Sequence, residues 1–450
     1  MFGGSVTALS AIAQPTQEEM AKQIETLQQQ VQMLLRNQAA TQAAQSSAPQ
    51  SVQSTAAPSS TAAAAQQDAK IAEKTTDSPA ANPSSPGGLI FGNGSASVTL
   101  YGTIDGSFER LKSSQTLSSR DRVNSNNSNF GIRADVGLPN NMRGWAQIES
   151  AVAVDSGASS LATRNSGVGV TAVPGTVLLG QWDSPYKVST IRFDPFGDRS
   201  IGAYSAIMGG GGQTTGGNGG GIKSSFDRRI SSTVQYWSPT FAGFSGRAAY
   251  GTDKERAADA STDPSLWAVS AAYEMGPIYI TAAHENHKDF GSLFGPFSGR
   301  DSASKIGASY KLPVINLTLS ATYEQLKYQV ADIEDRKIND VFVSAIYRLG
   351  PHTFGASVAQ KGATRVNGVD IADSKANLIG LRYGYDFNKL MQFYVMGVRL
   401  KNGTGSSQDF SSNPLVGNVP LGGPIGGNIT AKDLSGQNIT GLGTGLVFKF

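Results

Sequence analysis

Residues 97–109 read SVTLYGTIDGSFE. On an extended chain Val98, Leu100, Ile104 and Phe108 share one face, with Thr99, Tyr101, Thr103, Asp105 and Glu109 opposite. The period of two makes this a strand, and the open question is which face meets water. The pattern returns in NFGIRADV (129–136), where Phe130, Ile132, Ala134 and Val136 oppose Gly131, Arg133 and Asp135. In INLTLSATYEQ (315–325), Leu317, Leu319, Ala321 and Tyr323 oppose Thr318, Ser320, Thr322 and Glu324. In GLGTGLVFKF (441–450), Leu442, Thr444, Leu446, Phe448 and Phe450 line one face.

The punctuation between such runs alternates in length. Tight turns fall at LPNN (138–141), VPG (173–175), SPTFAG (238–243), MGP (275–277), LPV (312–314), LGP (349–351) and FNKL (387–390). Between them lie long polar segments such as KSSQTLSSRDRVNSNN and GTDKERAADASTD. Pro and Gly fix or free φ at the turns and stop strand continuation. The count comes to about 16 strands of roughly 10 residues, the size range of outer-membrane barrels. A ring that wide is not filled by its own side chains, so the polar face lines water and the apolar face meets lipid. The fold class is therefore an all-β membrane barrel, antiparallel and up-and-down. Trp182, Tyr236, Trp237, Tyr347, Tyr385 and Phe448 stand near strand ends and are expected in interfacial aromatic girdles.

Composition agrees. The 450 residues include 53 Gly and no Cys, only 16% are charged, and the formal net charge is +3. Charge is low and Gly high against ordinary soluble domains. The missing Cys excludes disulfides and thiolate chemistry, and no basic block argues for nucleic acid. Residues 1–13 carry an Ala11-Ile12-Ala13 step resembling a secretory cleavage site, without a basic start. Either they are a signal-peptide remnant whose start lies upstream, or they have no significance. Residues 14–37 place Met20, Ile24, Leu27, Val31 and Leu34 at coiled-coil spacing. So short a helix with so narrow a stripe is expected to need partner copies; the alternative is a helix lying on its own domain or on a membrane. Residues 38–95 are largely Ala, Ser, Thr, Gln and Pro and read as a linker that builds no core. The barrel is expected over 96–450.

Several stretches carry a family resemblance. SVTLYGTIDGSFE, NFGIRADVGL, QIES, GTVLLGQWDSP, FDPFGD and ISSTVQYWSPTFAGFSGRAAYG follow one another as in the trimeric general porins of Gram-negative bacteria. The resemblance spans residues 96–450. It implies a water-filled diffusion channel without cofactor, assembled as a homotrimer in the outer membrane, with lipid and lipopolysaccharide as neighbours. Phe450 and Phe448 resemble the signal by which outer-membrane assembly machinery recognises a barrel strand. The N-terminal segment would then be periplasmic, self-associating or bound to peptidoglycan.

The resemblance also implies that the third loop, here 183–227, folds into the lumen. Asp194 and Asp198 stand on the matching FDPFGD piece, flanked by Arg192 and Arg199, and Arg133, Arg229, Arg247 and Arg382 are phased inward on the strands. Acid on the loop against base on the wall would set a transverse field across a narrow gap. Many relatives carry Arg where this chain has Asn129 and Gln181, which leaves the sign of ion selectivity open. The Gly-rich MGGGGQTTGGNGGG (208–221) lacks the Lys-Ser/Thr of a phosphate loop and reads as plain loop. His284, His287 and His352 form no recognisable catalytic pattern, which disfavours an enzyme. A tether between outer membrane and cell wall, and a substrate-specific channel, are the alternatives carried forward.

Overall fold

The computed structural model describes residues 88–450, apart from 94, 115–116, 118, 158–159, 212–225, 253–262, 290–298, 331–333 and 416–430. The expected signal remnant, the heptad helix, most of the linker and most of the Gly-rich stretch lie outside the described residues.

Sixteen strands form the wall. They are β1 (Ala96–Ser113), β2 (Asn129–Leu138), β3 (Met142–Ala151), β4 (Ser166–Ala172), β5 (Gly175–Asp183), β6 (Arg229–Trp237), β7 (Phe244–Thr252) and β8 (Ser265–Met275). The second half comprises β9 (Ile278–Lys288), β10 (Gly299–Leu312), β11 (Leu317–Val330), β12 (Glu334–Leu349), β13 (His352–Lys361), β14 (Ala376–Asp386), β15 (Met391–Asn402) and β16 (Asn438–Lys449). Each pairs antiparallel with the next, and β16 returns to β1 from Thr103↔Lys449 onward, so the sheet closes. Closure leaves the wall no unpaired edge, the condition for a sheet in lipid. A short strand, Leu89–Asn93, lies beside the start of β1, so the segment read as linker to residue 95 already pairs before the barrel begins. Its apolar Leu-Ile-Phe run explains the difference.

The faces settle which side is wet. On β1, Asp105 and Glu109 are buried in the interior while Phe108 is 51% exposed on the outside. Ile132, Val343, Leu442 and Leu446 are likewise exposed on the outer face. A soluble barrel would reverse this. The seven expected turns all join neighbouring strands, and positive φ at Asn140 (60°), Asn141 (56°) and Gly276 (56°) shows why those residues stand there. Outer-face aromatics gather at these turns, as in the Tyr347–Phe354 and Phe354–Tyr383 pairs. Phe450 hydrogen-bonds Gly102 through both backbone groups, and its ring occupies the space a Cβ on Gly102 would need.

Trp182 and Trp237 do not belong to the girdle. Both point inward and are buried against Trp145 and Leu178. Along β6, Val234 and Tyr236 face outward, so parity sends Trp237 inside. Along β5, Leu178 is buried and Leu179 exposed, so the same parity carries Trp182 inside.

Candidate pore constriction

Between β5 and β6, the described residues 184–211 and 226–228 of the third loop lie inside the barrel. It opens with helix α1 (Pro185–Thr190), where Ser184 accepts the backbone N–H of Lys187 at 3.0 Å and Pro185 occupies the first turn. Short 3-10 turns follow at Ile191–Phe193, Tyr204–Ala206 and Met208–Gly210.

The loop lies against the wall by its apolar side. Phe193, Phe196, Ile201, Tyr204 and Met208 are buried in one cluster with Leu111, Tyr279, Phe342 and Met396. Four inward glycines make the room. A Cβ would strike Phe193 from Gly307 on β10 (2.7 Å), Pro195 from Gly355 on β13 (2.6 Å), Phe196 from Gly380 on β14 (2.6 Å) and Ile201 from Gly441 on β16 (2.5 Å). Gly441, at the head of the 441–450 stretch, is thus part of the loop's bed. Polar clamps complete the seat. On β11, the Glu324 carboxylate accepts the Gly209 N–H (2.6 Å) and the Tyr186 hydroxyl (2.8 Å), while Lys305 on β10 pairs with Asp227 (2.9 Å).

Among the residues singled out beforehand, Asp194 takes a role of its own. It is 5% exposed, and its carboxylate accepts the backbone N–H groups of Phe196, Asp198 and Tyr204 at 2.9–3.1 Å. Burial, opposed by those three donors, pushes its pKa up to about 7. It organises the bend, and its side chain is turned into the loop. Asp198 lies 2.9 Å from Lys187 Nζ, a residue the sequence reading passed over. Burial works against the Lys187 charge, but Asp198 and Asp183 outweigh it and raise its pKa.

The bases are distributed around the lumen. Arg133 pairs with Asp135 (3.0 Å) and lies 4.3 Å over the Trp145 ring. Arg229 lies 3.3 Å from Asp183 and donates to Asn165. Arg247 stands 5.4 Å over Trp237. Arg192 makes a two-pronged pair with Glu274 (2.8 and 2.9 Å) beside the Tyr279 ring. Arg199 donates to the carbonyls of Asn126 (3.2 Å) and Asn127 (2.9 Å) and reaches Asn129 Oδ1 (3.4 Å). Arg382 donates to Gln392 (2.7 Å) over the Tyr394 ring. The loop therefore presents base as well as acid to the lumen. Arg199 brings a guanidinium up to Asn129, where the resemblance had pointed to a missing arginine.

Further charged groups come to the same region without having been singled out: Asp105, held by Tyr394 and Asn126, and Arg164, paired with Glu149 at 2.6 Å. The inward parity of Asp105 was legible, whereas Arg164 stands in the segment before β4, and contacts made across long sequence separations were not legible. Among the described residues no group of His, Cys, Asp and Glu is arranged to hold a metal.

A closed membrane barrel with a wet interior, narrowed by an inward loop bearing charge, defines a transmembrane β-barrel channel. A family model described as "Gram-negative porin" matches residues 53–405, and the chain belongs to that family. The major outer membrane protein P.IB of Neisseria sicca is 25% identical over 353 residues, covering 72% of this chain and 94% of that protein. The anion-selective porin from Comamonas acidovorans superimposes with TM-score 0.65 at 22% identity, covering 79% of this chain and 100% of that one. OmpT of Vibrio cholerae in its trimer form gives TM-score 0.54 at 16% identity, covering 79% and 100%. The protein is an outer-membrane porin, a water-filled channel for passive diffusion of ions and small hydrophilic solutes. Members of the family are channels, not enzymes.

Proposed function

We propose that Asp198, Arg192, Arg199, Arg133, Arg229, Arg247 and Arg382 form the pore constriction, shaped by Asp194, and that the channel leans towards anions. The carrying observation is the company of Arg199 and Arg382. Both donate to neutral oxygens, and among the described residues neither has a carboxylate within ion-pair distance. Asp105 is the acid whose charge both of them feel, and the two guanidiniums outnumber it, so the field of the gap leans positive. The structurally similar Comamonas channel, anion-selective by its description, supports the same sign.

Three copies assemble through the arc from β3 to β5. Its outer face carries Ile148, Val168, Val170, Val177 and Leu179 and no aromatic ring, whereas β7 to β14 present Phe244, Trp267, Tyr310, Tyr323 and Phe354 to lipid. The trimer form of the Vibrio channel supports this assembly. The short strand Leu89–Asn93 lies beside the start of β1 at the tight-turn end, which supports a periplasmic position for the segment 14–95. We propose that residues 14–37 self-associate with partner copies or bind peptidoglycan.

Conductance and zero-current potential of the full chain in a planar bilayer under a salt gradient test both statements. Steps closing in thirds and an anion-favouring potential, moved towards cations by Arg199→Glu, are expected. A cation-favouring potential in the wild type overturns the charge reading, and single-step closure overturns the trimer.

A further inference from the structure

On the outward face, β9 to β12 change character in steps towards their long-loop ends. Ala282, Ile306, Tyr323 and Val341 stand opposite one another across the four strands as the last apolar level. The next level is polar, with hydrogen bonds between His284 and Ser304 (2.7 Å) and from Gln325 to Asn339 (3.0 Å). Beyond it the pairs are cationic. Lys327 on β11 stands directly opposite Lys337 on β12, and one step further Lys288 on β9 stands directly opposite Arg300 on β10. Lys288, Arg300 and Lys327 are exposed and Lys337 is half-buried.

Like charges directly opposite on one face of a sheet destabilise the pair. The barrel itself does not offset this: among the described residues, none of these four has a carboxylate at ion-pair distance. The acids close by are engaged elsewhere or stand apart. Asp370 pairs with Arg365 (2.8 Å), Asp289 accepts the Gly299 N–H (3.2 Å), and Asp335 stands opposite Gln329. Lys337 also borders a hollow of about 340 Å³ on the outer face, whose walls include Asn339, Gln360, Lys375 and, from the apolar belt, Val341. Two bare cationic pairs thus stand just above the belt, at the height of the outer-leaflet headgroups, with amide groups beside them.

We propose that Lys327, Lys337, Lys288 and Arg300 bind the phosphates of the outer leaflet's phosphorylated glycolipid directly, without a bridging divalent cation. Phosphate groups side by side repel, and a fixed cation placed among them does what a free divalent ion otherwise does. The sugar takes Asn339 and Gln360 in the hollow, and the acyl chains run down over Val341 and Tyr323. Amides that face sugar hydroxyls distinguish a glycolipid from a phospholipid here. The inference deepens the expectation of lipopolysaccharide as a neighbour. It rests on the outward face meeting lipid, not on the sign of ion selectivity.

The test is lipid binding by the full chain in detergent containing EDTA, followed by native mass spectrometry. Diphosphoryl lipid A, its dephosphorylated form and phosphatidylglycerol are the probes. The diphosphoryl form is expected to bind about tenfold more tightly than either of the others. Lys327→Gln/Lys337→Gln is expected to weaken its binding about tenfold, in line with the attraction of individual bases to an anionic headgroup layer. Lys311→Gln/Lys389→Gln, which removes two exposed lysines at the tight-turn end, is expected to leave it unchanged. Unit conductance reports that both variants are folded and open. A phosphate preference seen only when magnesium is added overturns the proposal, as does one that survives in the conducting Lys327→Gln/Lys337→Gln variant. Equal loss in the tight-turn variant overturns the site as well, and equal binding of phosphatidylglycerol overturns its assignment to a glycolipid.

Discussion

The wall and the loop inside it follow opposite rules. Along the strands, apolar side chains face out into lipid and polar ones face in. In the third loop, Phe193, Phe196 and Ile201 are buried inside the lumen against glycines, and the charges look towards water. The wall is stabilised by its solvent, since lipid accepts what water rejects. The loop is stabilised like a small soluble domain that uses the wall as its core.

This difference predicts where damage is greatest. Val343 on β12 is 44% exposed in the middle of the outer belt. Val343→Arg should cost about 2–4 kcal/mol and sharply reduce the folded fraction recovered in bilayers. The same arginine at inward Ser309 should be nearly neutral, and equal losses at both sites would break the two-rule account. Gly380→Leu attacks the loop alone. Its side chain enters the space of the Phe196 ring, so a cost of about 1–3 kcal/mol is expected. The barrel remains, but unit conductance rises as the loop leaves its bed; an unchanged conductance would show that the glycines are incidental.

The smallest effect concerns Asp194. Its folded pKa, about 7, lies above the ordinary 3.8, so the folded state holds the proton more tightly than the unfolded one. The stability this contributes is full below pH 3.8 and is lost as pH rises towards 7. Thermal unfolding in detergent should therefore fall between pH 4 and 7 in the wild type relative to Asp194→Asn. Parallel curves would place the carboxyl in water rather than in the loop interior.

The two rules also explain what could be read in advance. Period two and the alternation of turn lengths are local, so strands, turns and the outward belt were legible in segments such as 97–109. Trp182 and Trp237 were misassigned because nearness to a strand end was weighed above parity. The loop has no period. Asp194 looked like a pore acid because it stands in an acidic turn, yet three backbone donors claim it, and such claims depend on a fold closed over distant residues. A usable signal was present: Gly307, Gly355, Gly380 and Gly441 stand at inward positions where a polar lumen alone would not require the absence of a side chain.

The seam between β1 and β16 carries a consequence for biosynthesis. Lys112 and Thr440, which meet there, are 328 residues apart in the chain. No earlier fragment can join its own two edges, because the partner of β1 on that side is the sixteenth strand. Contacts so distant are slow to form, and until they do both edges stand open as templates for pairing with other chains. The nascent protein must therefore be held apart from its neighbours until β16 arrives, and assembly is complete only when the final strand is in place.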